Sequence, residues 1–114
     1  MDISRVLIIY KKSLYQLYGL ERKDAEYLHF LNADAKALQK ALEGHEANLE
    51  ALASARETLK ERGIGFDVRY RAKKAATSEY DLVITIGGDG TLLDASHAVL
   101  NVPILGINSA PNFS

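Results

Sequence analysis

The sequence predicts an α/β domain built around a mostly parallel sheet. Two short apolar runs, Arg5–Tyr10 and Leu82–Ile86, are rich in β-branched residues and are typical of strands buried on both faces. A long stretch between them carries apolar residues at helical spacing, and the predicted order is strand, helices, strand, strand, helix, strand. This order favours a sandwich of helices packed on a mostly parallel sheet.

The first strand, Arg5–Tyr10, is followed by a segment whose structure is hard to assign from its residues. Lys11–Leu20 has no clean period and contains two tyrosines and a glycine. We therefore predict an irregular connection between the first strand and the helices.

A helix is predicted over Lys23–Glu43. Five of its apolar residues lie at offsets of 0, 3, 7, 10 and 14 from the first, which places them on one side of an α-helix. Gly44 offers a stop, and Asn32 and Asp34 are positions at which the helix would divide into two pieces.

A second helix is predicted from about Glu46 to Arg62. It carries a narrow stripe of leucine and alanine, basic residues in its last turn, and Gly63 just past its end. These are the features of a helix that packs on a sheet and stops at a glycine.

The second half of the chain contains three predicted strands and one helix. Apolar and charged residues alternate over 66–71, which indicates a half-exposed strand at the edge of the sheet. Leu82–Ile86 is a buried strand, Thr91–Leu100 a short helix and Pro103–Asn108 a last strand, with proline tolerated at its first residue.

The composition excludes several classes of function. The chain has 114 residues, of which 14 are basic and 15 acidic, and its net charge of −1 provides no overall field to hold nucleic acid or an anionic membrane. Its apolar runs are far shorter than the roughly 20 residues that span a bilayer, and its N-terminus lacks the pattern of a signal peptide. The absence of cysteine removes disulfides and thiolate metal sites. We expect one cytoplasmic domain that binds neither nucleic acid nor membrane.

The distinctive segment is Gly87-Gly88-Asp89-Gly90-Thr91, which lies between a predicted strand and a predicted helix. Glycines allow a ligand to approach the backbone closely, and the free amides at a helix start attract phosphate. Asp89 among phosphate-binding amides makes chemical sense if it binds a metal ion or takes a proton from an attacking hydroxyl.

The same segment has a purely structural interpretation, in which the glycines form a tight turn and Asp89 or Thr91 caps the next helix. A chance occurrence of these five residues in a chain of this length has a probability on the order of 10⁻⁴, so we favour the functional interpretation. The segment is neither a Walker A loop nor a G-x-G-x-x-G fingerprint.

This motif and its surroundings resemble the superfamily that joins NAD kinases, diacylglycerol-type lipid kinases and 6-phosphofructokinases. The chain is most similar to NAD kinases, in which the motif is followed by a short helix and a strand ending in Gly-Ile/Val-Asn, as at Gly106-Ile107-Asn108. The continuation Asn108–Ser114 departs from the usual Leu-Gly pattern and resembles the mitochondrial-type branch and its bacterial relatives, as does the helical insertion Leu20–Gly44.

The resemblance implies a Rossmann-like three-layer sandwich and a set of site residues. Asp89 would be the base toward the 2′-hydroxyl of the NAD adenosine ribose or a ligand of Mg²⁺. Asn108 would close the site. The binding site for the phosphates of ATP or NAD would be lined by Gly87, Gly88, Gly90 and Thr91. The implied substrates are NAD and ATP, or polyphosphate in place of ATP.

The resemblance also implies a larger assembly. Residues 1–114 would form the nucleotide-binding domain, without the C-terminal β domain of NAD kinases, and would be inactive alone. A homo-oligomer, dimer or tetramer, is expected. Two alternatives stay open: a lipid or sugar kinase of the same superfamily, and a noncatalytic nucleotide-binding or interaction module.

Other conspicuous residues have weaker patterns. No lysine or arginine follows Lys74, which agrees with phosphate binding by backbone amides and Mg²⁺, so any basic clamp on phosphate must come from elsewhere. The candidates are a patch after the second strand (Arg69, Arg71, Lys73, Lys74), which we interpret mainly as a solvated edge, and the segment after the first strand (Lys11, Lys12, Tyr15), which either borders the nucleotide pocket or is a surface loop. His29, His45 and His97 lack metal-ligand spacing and are interpreted as surface or packing residues.

Overall fold

The computed structural model describes residues 3–70, 79–87 and 102–108 and confirms the predicted α/β architecture. Four strands and two α-helices are present in this part of the chain, together with one π-helical segment. In chain order they are β1 (Arg5–Tyr10), the π-helix (Tyr15–Glu21), α1 (Ala25–Ala33), α2 (Ala35–Glu61), β2 (Gly65–Tyr70), β3 (Leu82–Gly87) and β4 (Ile104–Asn108).

The four strands form one sheet in the order β2-β1-β3-β4, and every pairing is parallel. The predicted edge position of β2 is confirmed, and its residues alternate between exposed and half-buried. The predicted strands β1, β3 and β4 are confirmed within a residue of their expected bounds. The predicted helix Thr91–Leu100 lies outside the described residues.

The core lies on both faces of β1 and β3. Val6 and Ile8 of β1 point to the face that α2 covers, where they pack with Ala55 and Leu59 of the helix. Leu7 and Ile9 point to the other face, where they pack with Tyr80, Val83 and neighbouring residues. Burial on both faces explains why these strands have continuous apolar runs.

The helical region differs from the prediction at Gly44. The division at Asp34 is confirmed: its backbone is extended, and its side chain accepts hydrogen bonds from the amides of Lys36 and Ala37 at the start of α2. Gly44 does not end a helix, and no second helix begins at Glu46, because α2 continues through both positions to Glu61. One glycine costs a helix only about 1 kcal/mol relative to alanine, which the contacts of α2 with the sheet, the π-helix and α1 outweigh.

Helix α2 ends at a glycine, as predicted. Gly63 has φ 68°, its amide donates to Lys60 O at 3.1 Å, and the amide of Ile64 donates to Leu59 O at 2.9 Å. This pair of bonds is a Schellman motif, which requires the left-handed backbone that glycine adopts readily. It turns the chain directly into β2.

The connection after β1 also differs from the prediction. Lys11–Leu20 was predicted to be irregular, whereas most of it is the π-helix, with the amide of Arg22 bonded to Leu17 O at 3.0 Å. A π-helix has a wider turn than an α-helix, so its side chains do not follow the 3.6-residue period. This explains why no helical pattern is visible in the sequence.

The amino ends of β1 and β3 are joined by one carboxylate. Asp81 Oδ2 accepts from the backbone amides of Ser4 (2.9 Å) and Arg5 (3.0 Å) and from Ser4 Oγ (3.0 Å). The backbone hydrogen bonds from Ser4 and Arg5 are the main cause that lowers the pKa of Asp81 below its ordinary value of 3.8. This edge is therefore a structural closure of the sheet, opposite the edge at which the motif begins.

Candidate functional site

The carboxyl ends of the four strands meet at one edge of the sheet, at Tyr70, Tyr10, Gly87 and Asn108. From β1 the chain goes on to β2 on one side, and from β3 it goes on to β4 on the other side. The connections therefore diverge between β1 and β3, and open α/β sheets bind ligands in the crevice outside such a switch point. This geometry locates the candidate site at the end of β1 and β3.

Gly87 is the first residue of the glycine motif and the last residue of β3. It is buried, its φ is 152°, and it is paired in register with Asn108 at the end of β4. A side chain would be strained at this backbone angle, so the position favours glycine. The structure thus places Gly87 and the backbone of Asn108 side by side at the carboxyl ends of β3 and β4. The remaining predicted residues, Gly88, Asp89, Gly90 and Thr91, lie outside the described residues.

The chain beyond β1 stays alongside β3 up to the glycine motif. The amide of Lys11 donates to Ile86 O at 3.2 Å, which extends the pairing of the two strands by one residue. The carbonyl of Lys11 accepts from Asn48 Nδ2 of α2 at 2.9 Å, and Asn48 is only 6% exposed. A buried amide of the long helix therefore holds the start of this connection next to Gly87.

Lys12 is fixed by groups on two sides. Its Nζ lies 3.0 Å from Glu21 Oε1 and 4.7 Å from the centre of the Tyr70 ring, and its side chain is 22% exposed. Gln16 Nε2 donates to the other oxygen of Glu21 at 3.0 Å. The hydrogen bond with Glu21 raises the pKa of Lys12, and the hydrogen bond from Lys12 is the main cause that lowers the pKa of Glu21. At neutral pH the pair is therefore an ammonium bound to a carboxylate.

Ser13 lies two residues before the π-helix and contacts α2. Its Oγ accepts from the amide of Gln16 at 3.0 Å and is hydrogen bonded to His45 Nδ1 at 2.8 Å. The ring of His45 lies against that of Tyr15, with 5.5 Å between the ring centres. His45 is thus a packing residue, as we expected from its isolation in the sequence, and it joins α2 to the connection that carries Lys12.

The first half of α2 extends beyond the carboxyl ends of the strands. The bond from Asn48 to Lys11 places Asn48 at the carboxyl edge, and the helix ends near the amino edge, where β2 begins. Residues 35–47 therefore extend about 20 Å beyond the carboxyl edge at a rise of about 1.5 Å per residue. The π-helix and α1 both contact α2, so the predicted helical insertion lies on one side of the candidate site.

Two other sequence candidates are exposed side chains, and the rest lie outside the described residues. Arg69 is exposed on the edge strand β2, in agreement with a solvated edge, and His29 is exposed on α1. Arg71, Lys73, Lys74 and His97 lie outside the described residues.

The sequence analysis missed two polar residues near the edge. Asn48 lies on the same side of α2 as Ala55 and Leu59, and a single polar residue on an apolar helical stripe is a signal that could have been found. Glu21 gave no signal, because its role depends on the π-helix.

Metal binding by the described residues alone has little support. They contain no group of three or more histidine, aspartate or glutamate side chains placed to hold a metal ion. Mg²⁺ commonly uses only one or two carboxylates together with substrate phosphates, and Asp89 is the residue of the motif with a suitable oxygen. No helix within the described ranges is long and apolar enough to cross a membrane.

Comparison with known proteins gives a family match over nearly the whole chain. The model of the ATP-NAD kinase N-terminal domain matches residues 6–113. An NADH kinase from Arabidopsis thaliana is 62% identical over 34 residues, which are 29% of this chain and 11% of that protein. An NAD kinase from Hahella chejuensis is 48% identical over 46 residues, 39% of this chain and 16% of that protein.

A third relative, from Pseudomonas savastanoi pv. phaseolicola, is an NAD kinase with 43% identity over 54 residues, 46% of this chain and 18% of that protein. Each of these matches spans less than a fifth of the relative's own length. The family model, by contrast, begins in β1 and runs past β4. The parallel sheet, the glycine motif at its switch point and this match agree, and the chain belongs to the ATP-NAD kinase family, of which it contains the N-terminal domain.

Proposed function

We propose that the protein carrying this chain transfers the terminal phosphoryl group of ATP to the 2′-hydroxyl of the NAD adenosine ribose, giving NADP. The observation that carries the proposal is the family match over residues 6–113. The named relatives are NAD kinases and NADH kinases, which favours a nicotinamide dinucleotide as acceptor over a lipid or a sugar. Polyphosphate is the alternative donor.

The chemistry asks the protein mainly to position two substrates and to stabilise charge. In the proposed site the backbone amides of Gly87, Gly88, Gly90 and Thr91 bind phosphate oxygens, as free amides at the start of a helix do. Asn108, paired with Gly87, closes the site from β4. Asp89 acts as the base: it accepts the proton of the 2′-hydroxyl while the oxygen of that hydroxyl attacks the terminal phosphorus of ATP.

Mg²⁺ binding is the alternative role of Asp89: if the carboxylate is not the base, it would hold the ion together with substrate phosphates. When bound, the ion would neutralise charge on the transferred phosphoryl group. Gly87 and the backbone of Asn108 do not depend on the ion for their placement, since both are held by the sheet.

The proposal includes a second domain and an assembly. The matched model is that of an N-terminal domain, and the named relatives are several times longer than the segments they share with this chain. We propose that a further domain completes the NAD site and that the protein is a homo-oligomer, dimer or tetramer. Without the further domain, phosphoryl transfer to NAD is not expected.

The test is an acceptor panel. The protein that carries this chain is incubated with ATP labelled at the γ-phosphate and with NAD, NADH, diacylglycerol or fructose 6-phosphate. We expect the label in NADP or NADPH alone. Label in the lipid or the sugar would replace the proposed acceptor, and nucleotide binding without any transfer would support a noncatalytic module.

A further inference from the structure

The glycine motif needs a cation that its own part of the chain does not supply. ATP brings several negative charges to the end of β3, yet the last 40 residues contain four acids and no lysine or arginine. Backbone amides and Mg²⁺ neutralise part of that charge. Within this chain, a basic side chain that binds the donor phosphates would therefore come from residues before the motif.

The topology limits which side chain can do this. β1 is the neighbour of β3 on the side of the switch point away from β4, so the residues after β1 are next to the motif. Arg5 is at the opposite edge of the sheet, where it lies 3.5 Å from Asp67. Arg56 and Lys60 lie on the half of α2 that runs toward that same opposite edge. Lys11 and Lys12 both follow β1 at the carboxyl ends of the strands. Lys11 is exposed, whereas the ammonium group of Lys12 is held over Tyr70 at the end of β2, the strand on the other side of β1 from β3.

Lys12 is also held in place before any ligand arrives. Asn48 and the Ile86 carbonyl fix the backbone of the preceding residue, and Glu21 and the Tyr70 ring fix the ammonium group. A long flexible side chain loses less entropy on binding when it is already ordered. Such preorganisation suits a residue that binds a ligand.

We propose that Lys12 binds the phosphates of the donor nucleotide, and that Glu21 holds its ammonium group until phosphate replaces the carboxylate. The inference rests on the proposed function only for the donor, an adenine nucleotide triphosphate, and not for the acceptor. Exchange of one anionic partner for another keeps the ammonium paired throughout. Glu21 is the positioning residue, and it competes with phosphate for the same group.

The test is equilibrium binding of MgATP and of inorganic tripolyphosphate to the protein that carries this chain, measured by titration calorimetry. The variants are Lys12→Gln, Lys12→Arg, Glu21→Gln and Lys74→Gln. Lys60→Gln is the matched control, because Lys60 is an exposed lysine near the amino ends of the strands. A circular dichroism spectrum of each variant confirms that the fold is kept.

We expect Lys12→Gln to weaken both probes roughly 10- to 100-fold, the effect of losing a charge-assisted hydrogen bond. Lys12→Arg should retain most of the affinity. Glu21→Gln should raise affinity about two- to fivefold, because it removes a competing exposed carboxylate. Lys60→Gln should change nothing.

Opposite signs for Lys12→Gln and Glu21→Gln distinguish a released cation from a merely structural ion pair, which would lower affinity when either partner is removed. Equal affinities of the parent chain and Lys12→Gln, absence of binding included, would overturn the inference. So would a loss confined to Lys74→Gln, which would assign the cation to the segment after β2. Failure of NAD as acceptor in the panel above would leave these binding results unaffected.

Discussion

Replacement of Asn48 by leucine tests whether the long helix holds the connection after β1 against the site. Asn48 is 6% exposed, and its Nδ2 donates to the carbonyl of Lys11 at 2.9 Å. Leucine fills the position but offers no donor. The Lys11 carbonyl then loses its partner at the point where the chain leaves the sheet.

The magnitude follows from the hydrogen bond. An unsatisfied buried acceptor costs about 1–3 kcal/mol, and this bond is only partly buried, so we expect the free energy of unfolding to fall by about 1–2 kcal/mol. Asn32→Leu on the exposed surface of α1 is the matched control, with an expected change within about 0.5 kcal/mol. Urea unfolding followed by circular dichroism measures both, provided that the slope is unchanged.

A second variant, Asn48→Asp, tests whether position 48 must donate a hydrogen bond to the Lys11 carbonyl. An ionised carboxylate would face the Lys11 carbonyl and repel it, whereas the protonated acid can donate to it, so the folded-state pKa of the new side chain would be raised. The stabilisation from the protonated form is then present at low pH and is lost as pH rises through that raised pKa. Asn48→Leu with the stability of the parent, or Asn48→Asp without this pH dependence, would refute the proposed role of the amide.

Two further predictions concern the fold. Gly63→Ala should lower the free energy of unfolding by about 1–2 kcal/mol, because the φ of Gly63, 68°, is left-handed. Gly65→Ala should be nearly neutral, since an added Cβ would lie 3.5 Å from Ser4 O, an ordinary contact. Equal costs of the two variants in urea unfolding would contradict the strain argument. Asp81→Asn should flatten the dependence of stability on pH in the acid range. The pKa of Asp81 is lowered in the fold, so its contribution is present above the ordinary value of 3.8 and is lost as pH falls through the lowered pKa. A variant that keeps the parent's acid profile in unfolding titrations would assign that dependence to other carboxylates.

The parts of the fold that depend on local pattern could be predicted from the sequence. The continuous apolar runs of β1 and β3 follow from burial on both faces, and the alternation in β2 follows from its edge position. The divide at Asp34 and the stop at Gly63 follow from capping chemistry. Each of these features leaves a pattern within a few consecutive residues, which is why the sequence indicates them.

The parts that depend on tertiary packing could not be predicted. Gly44 is a stop by local rules, and the helix continues through it where α2 contacts the π-helix and α1, beyond its contacts with the sheet. The π-helix has no 3.6-residue period, so the pairing of Glu21 with Lys12 was invisible. The position of Gly87, the first residue of the glycine motif, at the switch point between β1 and β3 could be assigned only once the strand order was known.

The most direct test of the proposed function is the rate of NADP formation from ATP and NAD by the protein that carries this chain, compared with its Asp89→Asn variant. Asp94→Asn is the matched control, because five residues further along a predicted helix it points away from Asp89. We predict that Asp89→Asn lowers kcat roughly 10²- to 10⁴-fold, as expected for loss of a general base, while Asp94→Asn has the kcat of the parent. An Asp89→Asn protein that forms NADP at the parent rate would contradict the proposed role of the motif.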